Sequence, residues 1–390
     1  MNNNFIYFDH ESTSPISGNV LNNMIYSYKN YWGNVSSKYK FAVTCSLELE
    51  RIRSEIANKF NTNNENIIFT SGSTESIALV FNRISEKYKK GDILISKVEH
   101  NATIIASNIL KKRGWNVKEI AVNKKGIIEI DSFDSYLKGN VKFASIIWGQ
   151  SEIGSIQPIQ QIGSKLNEMG ILYHIDATQI LSNGLFDWDQ LNCDFLSFSA
   201  HKFGGPKGIG ILLCRKKSKE ILINKDISIS QEYSIRAGTQ PLALISALNM
   251  ALSNIKCRIS INNKDIIFNN DNVYELRDYL IEKIKDNNHI KITGSLKKRL
   301  PNHLSFILFN KNLNPIESYK VVNFMSSNNI AISSGSACSN SKNIKSQILK
   351  KIGYKNNLIY SNLRVSFNKD NTKDQVDIFY NLILKCIELF

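Results

Sequence analysis

A chain of 390 residues with a formal net charge of +15, 42% hydrophobic residues and 21% charged ones has an ordinary globular composition and enough length to bury a large core. No run of about 18 uncharged apolar residues occurs, and Met1 to Asp9 lacks the basic start and apolar stretch of a secretory signal, so a cytoplasmic protein with no membrane span is expected. The six cysteines show neither Cys-x-x-Cys pairs nor Cys/His ligand spacing, which argues against a disulfide framework or a zinc site, and the dispersed lysines argue against direct nucleic-acid binding.

Phe5 to Phe8 reads as a short strand ending at Asp9 and feeding a polar turn, His10 to Pro15. Apolar residues at 47, 49, 52 and 56 predict a helix over Ala42 to Phe60. Asn66 to Phe81 is more informative: Ile67 to Phe69 form a buried strand, Ser71-Gly72-Ser73 a turn, and a helix starts at Thr74. Free N–H groups and a helix dipole meet there, so Gly72, Ser73 and Thr74 are assigned to a phosphate, with an ordinary capped helix as the alternative.

Strands and helices then alternate: Asp92 to Ser96, a helix Ala102 to Lys112, Trp115 to Ile120, Val141 to Trp148, a helix Ile159 to Met169, and Leu172 to Asp176. Such alternation predicts an α/β fold with a mainly parallel sheet, its site built from loops at the carboxyl ends of the strands. Glu99-His100-Asn101, Gln150-Ser151-Glu152, Asp176 to Gln179 and Ser199 to Lys202 all fall at such ends. Asp176 ends a buried strand and needs a cationic partner, for which a protonated cofactor nitrogen would serve. His174, two residues earlier, reads as a core residue; His100, in a strand-end loop, is balanced between structure and site.

The centre of the pattern is Ser197 to Gly210, where Lys202 sits in a turn between two apolar strands beside glycines at 204, 205, 208 and 210. A bulky anionic cofactor fits such a turn, with Ser199 and His201 beside it; a plain Gly-rich hairpin is the alternative. Gln231 to Thr239 leads into a helix from Pro241 to about Ile255, and a polar stretch, Ile259 to Asn272, marks a boundary. The remainder reads as a smaller α+β unit with helices near Val273 to Lys285, Glu317 to Asn328, Asn343 to Lys351 and Asp374 to Leu389, and strands near Leu304 to Leu308 and Leu363 to Phe367. Within it, Ser333 to Ser341 is a run of small polar residues around Cys338, which reads as an exposed thiol meant to reach something or as an incidental surface cysteine. Arg364 lies inside a strand, where either a bound carboxylate or a structural salt bridge would balance it.

In order and across nearly the whole chain, these pieces resemble the cysteine desulfurases of the NifS/IscS-like group, class-V aminotransferase-type pyridoxal-phosphate enzymes. The resemblance rests on Ser-Phe-Ser-Ala-His-Lys202 with Gly-Pro-Lys-Gly-Ile-Gly210, Ser-Ser-Gly-Ser-Ala-Cys338, Phe-Thr-Ser-Gly-Ser-Thr-Glu75, Glu99-His100, His-Ile-Asp176-Ala-Thr-Gln179, Arg236-Ala-Gly-Thr239 and Leu-Arg364-Val-Ser366. It implies an aspartate-aminotransferase-like fold (fold type I), with residues 15–255 as the large pyridoxal-phosphate-binding domain and 1–14 with 256–390 as the small one. Lys202 would hold pyridoxal 5'-phosphate as a Schiff base and move the α-proton of L-cysteine. Asp176 would pair with the pyridine nitrogen, Gln179 with the ring oxygen, and His100 would stack on the ring. Thr74, Ser199 and His201 would hold the phosphate, and Thr239 would reach that of a neighbouring subunit in a homodimer. Arg364 and the region of Ser151 would take the substrate, and Cys338 would accept its sulfur as a persulfide for an acceptor protein. Acceptors in the family serve iron–sulfur cluster assembly, tRNA thiolation or DNA phosphorothioation, and the basic charge tilts the reading toward nucleic-acid modification.

Three stretches depart from the family pattern. Asp9-His-Glu-Ser-Thr-Ser-Pro15 stands for Asp-Asn-Ala-Ala-Thr-Thr-Pro, Gln150-Ser151-Glu152 for Asn-Asn-Glu, and Ser228-Ile-Ser230 for a glycine run. They leave the cofactor residues intact and alter the substrate side. A selenocysteine lyase is a second reading, against which Cys338 argues, and a weakly catalytic sulfur-relay subunit is a third.

Overall fold

The computed structural model describes residues 5–223, 231–262, 266–269, 271–335 and 345–390. Cys338 and Ser228 to Ser230 lie outside them.

The strands, in chain order, are β1 (Ile6–Tyr7), β2 (Ile67–Thr70), β3 (Asp92–Ser96), β4 (Asn116–Ile120), β5 (Val141–Ile147), β6 (Leu172–Asp176), β7 (Phe195–Ser199), β8 (Gly210–Cys214), β9 (Ile259–Ile261), β10 (Ile266–Phe268), β11 (Ile290–Ile292), β12 (His303–Leu308), β13 (Ile330–Ala331) and β14 (Asn362–Ser366). Among the described residues, β2-β8-β7-β6-β5-β3-β4 form the main sheet. Its pairings from β4 through β3, β5 and β6 to β7 are parallel, whereas β8 runs antiparallel to both β7 and β2. The reversal follows from chain length: the turn from Ser199 to Gly210 is too short for the crossover a parallel pair requires. The central strands are almost entirely buried because both faces are covered, in part by helices α3 (Ser73–Lys87) and α4 (Asn101–Lys112). Helices α1 (Gly18–Asn30) and α2 (Lys40–Lys59) precede α3 in the chain, and both contact the helix Leu242–Ser253.

A second core gathers Phe8, Leu304, Phe306, Val365 and Phe379 around the antiparallel sheet β11-β12-β14. The N-terminal strand joins this late part of the chain: β1 pairs with β13, and Asp9 bridges to Ser366. That pairing delivers the loop after β1 to the strand carrying Arg364.

Several elements differ from the sequence reading. The Asn-rich segment Gly18–Asn30 is a helix, given its order by packing on Leu242–Ser253 rather than by a clear apolar period. Ile259–Ile261 and Ile266–Phe268, expected as a polar boundary, pair antiparallel and bury Ile259 and Phe268 against the large core. The helix expected from Asn343 starts at Gln347, after Ser346, whose hydroxyl accepts from the Leu349 N–H at 2.8 Å; residues 343 and 344 lie outside the described residues. No helix among the described residues is long and apolar enough to cross a membrane.

Candidate active site

The carboxyl ends of β6 and β7, the amino ends of α3 and α4, the loop after β1 and strand β14 enclose a cavity of about 690 Å³. Ser73, Thr74, His100, Ser151, Asp176, Gln179, Ser199, His201, Lys202 and Arg364 all line it.

Lys202 closes the single turn after β7 and points its amine at the N-terminal loop, where Nζ donates to the main-chain oxygens of Glu11 (2.6 Å) and Ser12 (3.0 Å). Burial, and then the nearby Arg364 charge, bring this amine down to about 8, so an appreciable part is the free base near neutral pH. Asp176 ends β6 with Oδ1 accepting from the Ser73 hydroxyl (3.3 Å) and the Thr178 N–H (3.0 Å). His174, on the same strand, meets Ser145 at Nδ1 (2.9 Å) and Ser197 at Nε2 (3.1 Å), which makes it the core residue expected.

Around α3 the residues assigned to the phosphate make further contacts within the fold. The Ser73 N–H donates to Ser199 Oγ (2.8 Å) and its hydroxyl meets Ser197 Oγ (2.9 Å), so both polar groups of Ser73 serve the scaffold that holds Asp176. Gly72 is not part of the cavity wall; it caps the helix where β8 passes so close that a Cβ on Gly210 would fall 2.6 Å from its Cα. Thr74 is exposed to the cavity, and His201, held by its Nδ1 contact to Thr13 Oγ1 (3.2 Å), is brought down to about 4 by burial and by Lys202 and Lys207. Thr239 is exposed and does not line the cavity.

His100 is the N-cap of α4. Its Nδ1 accepts from the Ala102 N–H (3.2 Å), which leaves Nε2 as the protonated nitrogen of the neutral ring, and burial holds the imidazolium form down. Gln179 donates from Nε2 to the Glu11 carbonyl (3.1 Å), while its Oε1 is buried without a partner.

Both readings of Arg364 meet in one side chain. Nη2 donates to Asp9 Oδ1 (2.7 Å) and Ser12 Oγ (2.6 Å), Nη1 donates to the Ser151 carbonyl (3.1 Å), and Nε is buried without a partner among the described residues. The guanidinium is thus paired structurally and still holds an unused N–H in a cavity wall. Ser151 contributes its main chain to that contact. Cys338 lies outside the described residues, but Gly335 and Lys345, which flank it in sequence, line the cavity.

Sequence reasoning left out three buried acids in this wall. Glu99 accepts from the Ile147 N–H (2.8 Å) and burial raises it well above the carboxylate range; Glu152, bonded to Ser346, is raised to about 7; Glu11 is raised to about 8. Strand-end position signalled the first two. For Glu11 the signal was the departure from the family pattern in the loop after β1.

The donor set fits pyridoxal phosphate: an amine for an aldehyde, a buried carboxylate for a ring nitrogen, an imidazole on the wall between them, a helix amino end with Thr74 for a phosphate, and the orphaned Gln179 oxygen for a ring hydroxyl. The chain matches the class-V aminotransferase family over residues 6–379. It is 31% identical to the cysteine desulfurase IscS of Methylococcus capsulatus, over 97% of this chain and 91% of the relative. Among solved structures it is similar to a NifS-like protein (26% identity, TM-score 0.84, covering 98% of this chain and 99% of the other) and to SspA in complex with cysteine (26% identity, TM-score 0.79, covering 94% and 100%). Fold, cavity chemistry and relatives agree: the chain belongs to the pyridoxal-phosphate-dependent class-V aminotransferase family, among the cysteine desulfurases.

Proposed function

We propose that this protein converts L-cysteine to L-alanine with the sulfur left as a persulfide on Cys338, and that an acceptor protein collects it. The observation that carries this reading is the convergence of Lys202, Asp176 and Arg364 on one cavity whose wall ends on both sides of the Cys338 segment.

The bound cofactor supplies an electron sink for the carbanion formed when the substrate loses its α-proton. Lys202, whose amine burial brings down to about 8, would hold it and would serve as the base for that proton. Asp176 would pair with the ring nitrogen, and its tie to Ser73 and Thr178 fixes the carboxylate. Thr74, Ser199 and His201 would take the phosphate, His100 would stack on the ring, and Gln179 would meet the ring oxygen. Arg364 turns its free Nε–H to the substrate carboxylate. The Cys338 thiolate attacks the substrate sulfur; an S–S bond forms as the C–S bond breaks with its electron pair left on carbon, and the carbon fragment takes up one proton at Cβ, regains one at Cα and leaves as alanine.

Residues 15–255 form the cofactor-binding domain in this reading, and 1–14 with 256–390 the small one; the second core supports the division, although Ile259, Phe268 and Leu300 pack on the large core. A second copy completes the site. The outer sides of α1, the start of α2 and the turn between them expose Leu21, Ile25, Tyr26, Tyr28, Trp32 and Leu47, an apolar surface suited to a homodimer, and Thr239 stands exposed where it can serve a neighbour. Cys45, Cys193, Cys214 and Cys386 carry no disulfide, which supports a reducing, cytoplasmic setting. The acceptor, whether for iron–sulfur assembly, tRNA thiolation or DNA phosphorothioation, is identified by following labelled sulfur from cysteine into co-purified proteins.

The test is alanine and sulfide release from L-cysteine by the parent and by Cys338→Ala. The variant loses release while keeping the absorption of its cofactor; full activity without Cys338 would defeat the mechanism.

A further inference from the structure

Glu11 occupies a position that the proposed chemistry does not use. Its side chain is wholly buried, and neither carboxyl oxygen has a hydrogen-bond partner among the described residues. His303, equally buried, places Nε2 3.8 Å from Glu11 Oε2. The orientation of that ring is determined by its other side: Nδ1 lies 2.9 Å from Arg299 Nη1, and because a guanidinium only donates, Nδ1 must accept. The proton of the neutral imidazole therefore sits on Nε2, facing the carboxyl group. Gly154, with φ +69°, makes room for the ring, since a Cβ there would lie 2.3 Å from Nδ1. The carboxyl and imidazole pair is thus built into the fold.

The main chain of the same residue reaches the other way. The Glu11 carbonyl accepts from Lys202 Nζ at 2.6 Å and from Gln179 Nε2 at 3.1 Å, and its N–H donates to Ser366 Oγ at 2.9 Å. We propose that Glu11, backed by His303, is a positioning and charge-setting residue for Lys202: its carbonyl fixes the amine, and its side chain gains or loses a negative charge that the amine senses.

The surroundings give the sign. Burial raises the Glu11 acid, Arg364 on β14, Lys202 and Arg299 oppose that rise, and Asp9 on the same loop adds to it. His303 is kept neutral by burial and by Arg299 and Arg364, so its Nε2–H dipole faces the carboxyl group at 3.8 Å without competing for its proton. As pH rises, Glu11 releases a proton to solvent and becomes an anion near Lys202, which favours the protonated amine. Lys202 then loses its own proton at a higher pH than it would beside a neutral residue.

This rests on reading Lys202 as the cofactor-holding amine, yet the measurement needs neither cofactor nor turnover. In cofactor-free protein, the rate of Lys202 acetylation by limiting acetic anhydride, followed by mass spectrometry across pH, gives the titration midpoint of the amine. Glu11→Gln keeps the carbonyl and removes the charge, and should move the midpoint down by about one pH unit, a tenfold change in proton affinity. His303→Leu withdraws the N–H that favours the carboxylate and should shift it the same way by less. In the parent, difference infrared spectra should show a protonated carboxyl band, absent from Glu11→Gln, that disappears over the pH range in which Lys202 titrates; with the bands of the other two raised acids identified in Glu99→Gln and Glu152→Gln, this observation stands even where Glu11→Gln fails to fold. An unchanged midpoint in Glu11→Gln, a shift in the opposite direction, or the absence of that band in the parent overturns the proposal. A protein that never binds pyridoxal phosphate would defeat the cofactor assignment and leave these titrations intact.

Discussion

On the sheet side of the cavity, Asp176, Ser73, Ser197 and Ser199 form one continuous hydrogen-bonded chain. On the loop side, the Glu11 carboxyl oxygens, the Gln179 oxygen, His303 Nε2 and Arg364 Nε are buried without hydrogen-bond partners among the described residues. The two walls enclose the same space and are built on different terms. Groups at the ends of buried strands inherit their geometry from the ladder and are satisfied before any ligand arrives, so they form a preorganised cofactor wall. On the loop after β1, Glu11 is held by its main-chain contacts while its carboxyl group remains open, so this is the wall that answers to substrate and to pH. The departures from the family pattern that fall within the described residues, His10 to Ser14 and Gln150-Ser151, lie at or next to the second wall.

The comparison is most readily broken at its centre. Lys202→Ala should lower turnover of L-cysteine by at least about 10³-fold with the fold unchanged by circular dichroism, because the base and the cofactor anchor go together. Arg364→Gln should lower kcat/KM by about 10²-fold, and Arg364→Lys should fail to rescue it, since an ammonium cannot reproduce contacts to Asp9, Ser12 and the Ser151 carbonyl together with a free N–H. If the lysine variant matched the parent, the loop wall would not depend on guanidinium geometry.

Stability against pH separates the walls next. The Glu11 carboxyl is raised to about 8 in the folded protein, so the folded state binds more protons than the unfolded one between the ordinary carboxylate range and that value. Its contribution is therefore complete in acid and is lost as pH rises toward 8, a change on the order of 2–4 kcal/mol. Urea denaturation at several pH values should show a decline between about pH 5 and 8 that Glu11→Gln flattens. Asp176→Asn tests the sheet wall: it should weaken cofactor retention by about tenfold, read from absorbance after dialysis, because the amide cannot match the charge of a protonated ring nitrogen. The smallest effect is expected from Ser151→Asn, which restores the residue typical of the family; a change in KM of a few fold, about 1 kcal/mol, would place Ser151 at the substrate, and no change would confine its part to the main chain.

Much of this was legible in the chain itself. The alternation of apolar runs and helical periods announced the parallel sheet, and polar residues directly after those runs, Asp176, Ser199 to Lys202 and Glu99-His100, announced the wall at its carboxyl edge. Those signals are local: a strand must bury its apolar run, and the first residues past it must turn at the edge. The contacts of Gly72 and Ser73 were not legible, for the opposite reason. Their use depends on β8 lying antiparallel beside them and on Ser197 and Ser199 from a strand more than a hundred residues away.

Sequence by itself determined which residues could do chemistry and along which strand ends they would gather, because backbone hydrogen bonding and side-chain period are written residue by residue. Only the tertiary structure decided that β1 pairs with β13, that Asp9 therefore meets Arg364, and that Glu11 faces His303 while its carbonyl holds Lys202. Each of those contacts joins segments at least 190 residues apart. Burial, which shifts the titration of Glu11, His303 and Lys202, exists only once such segments have packed.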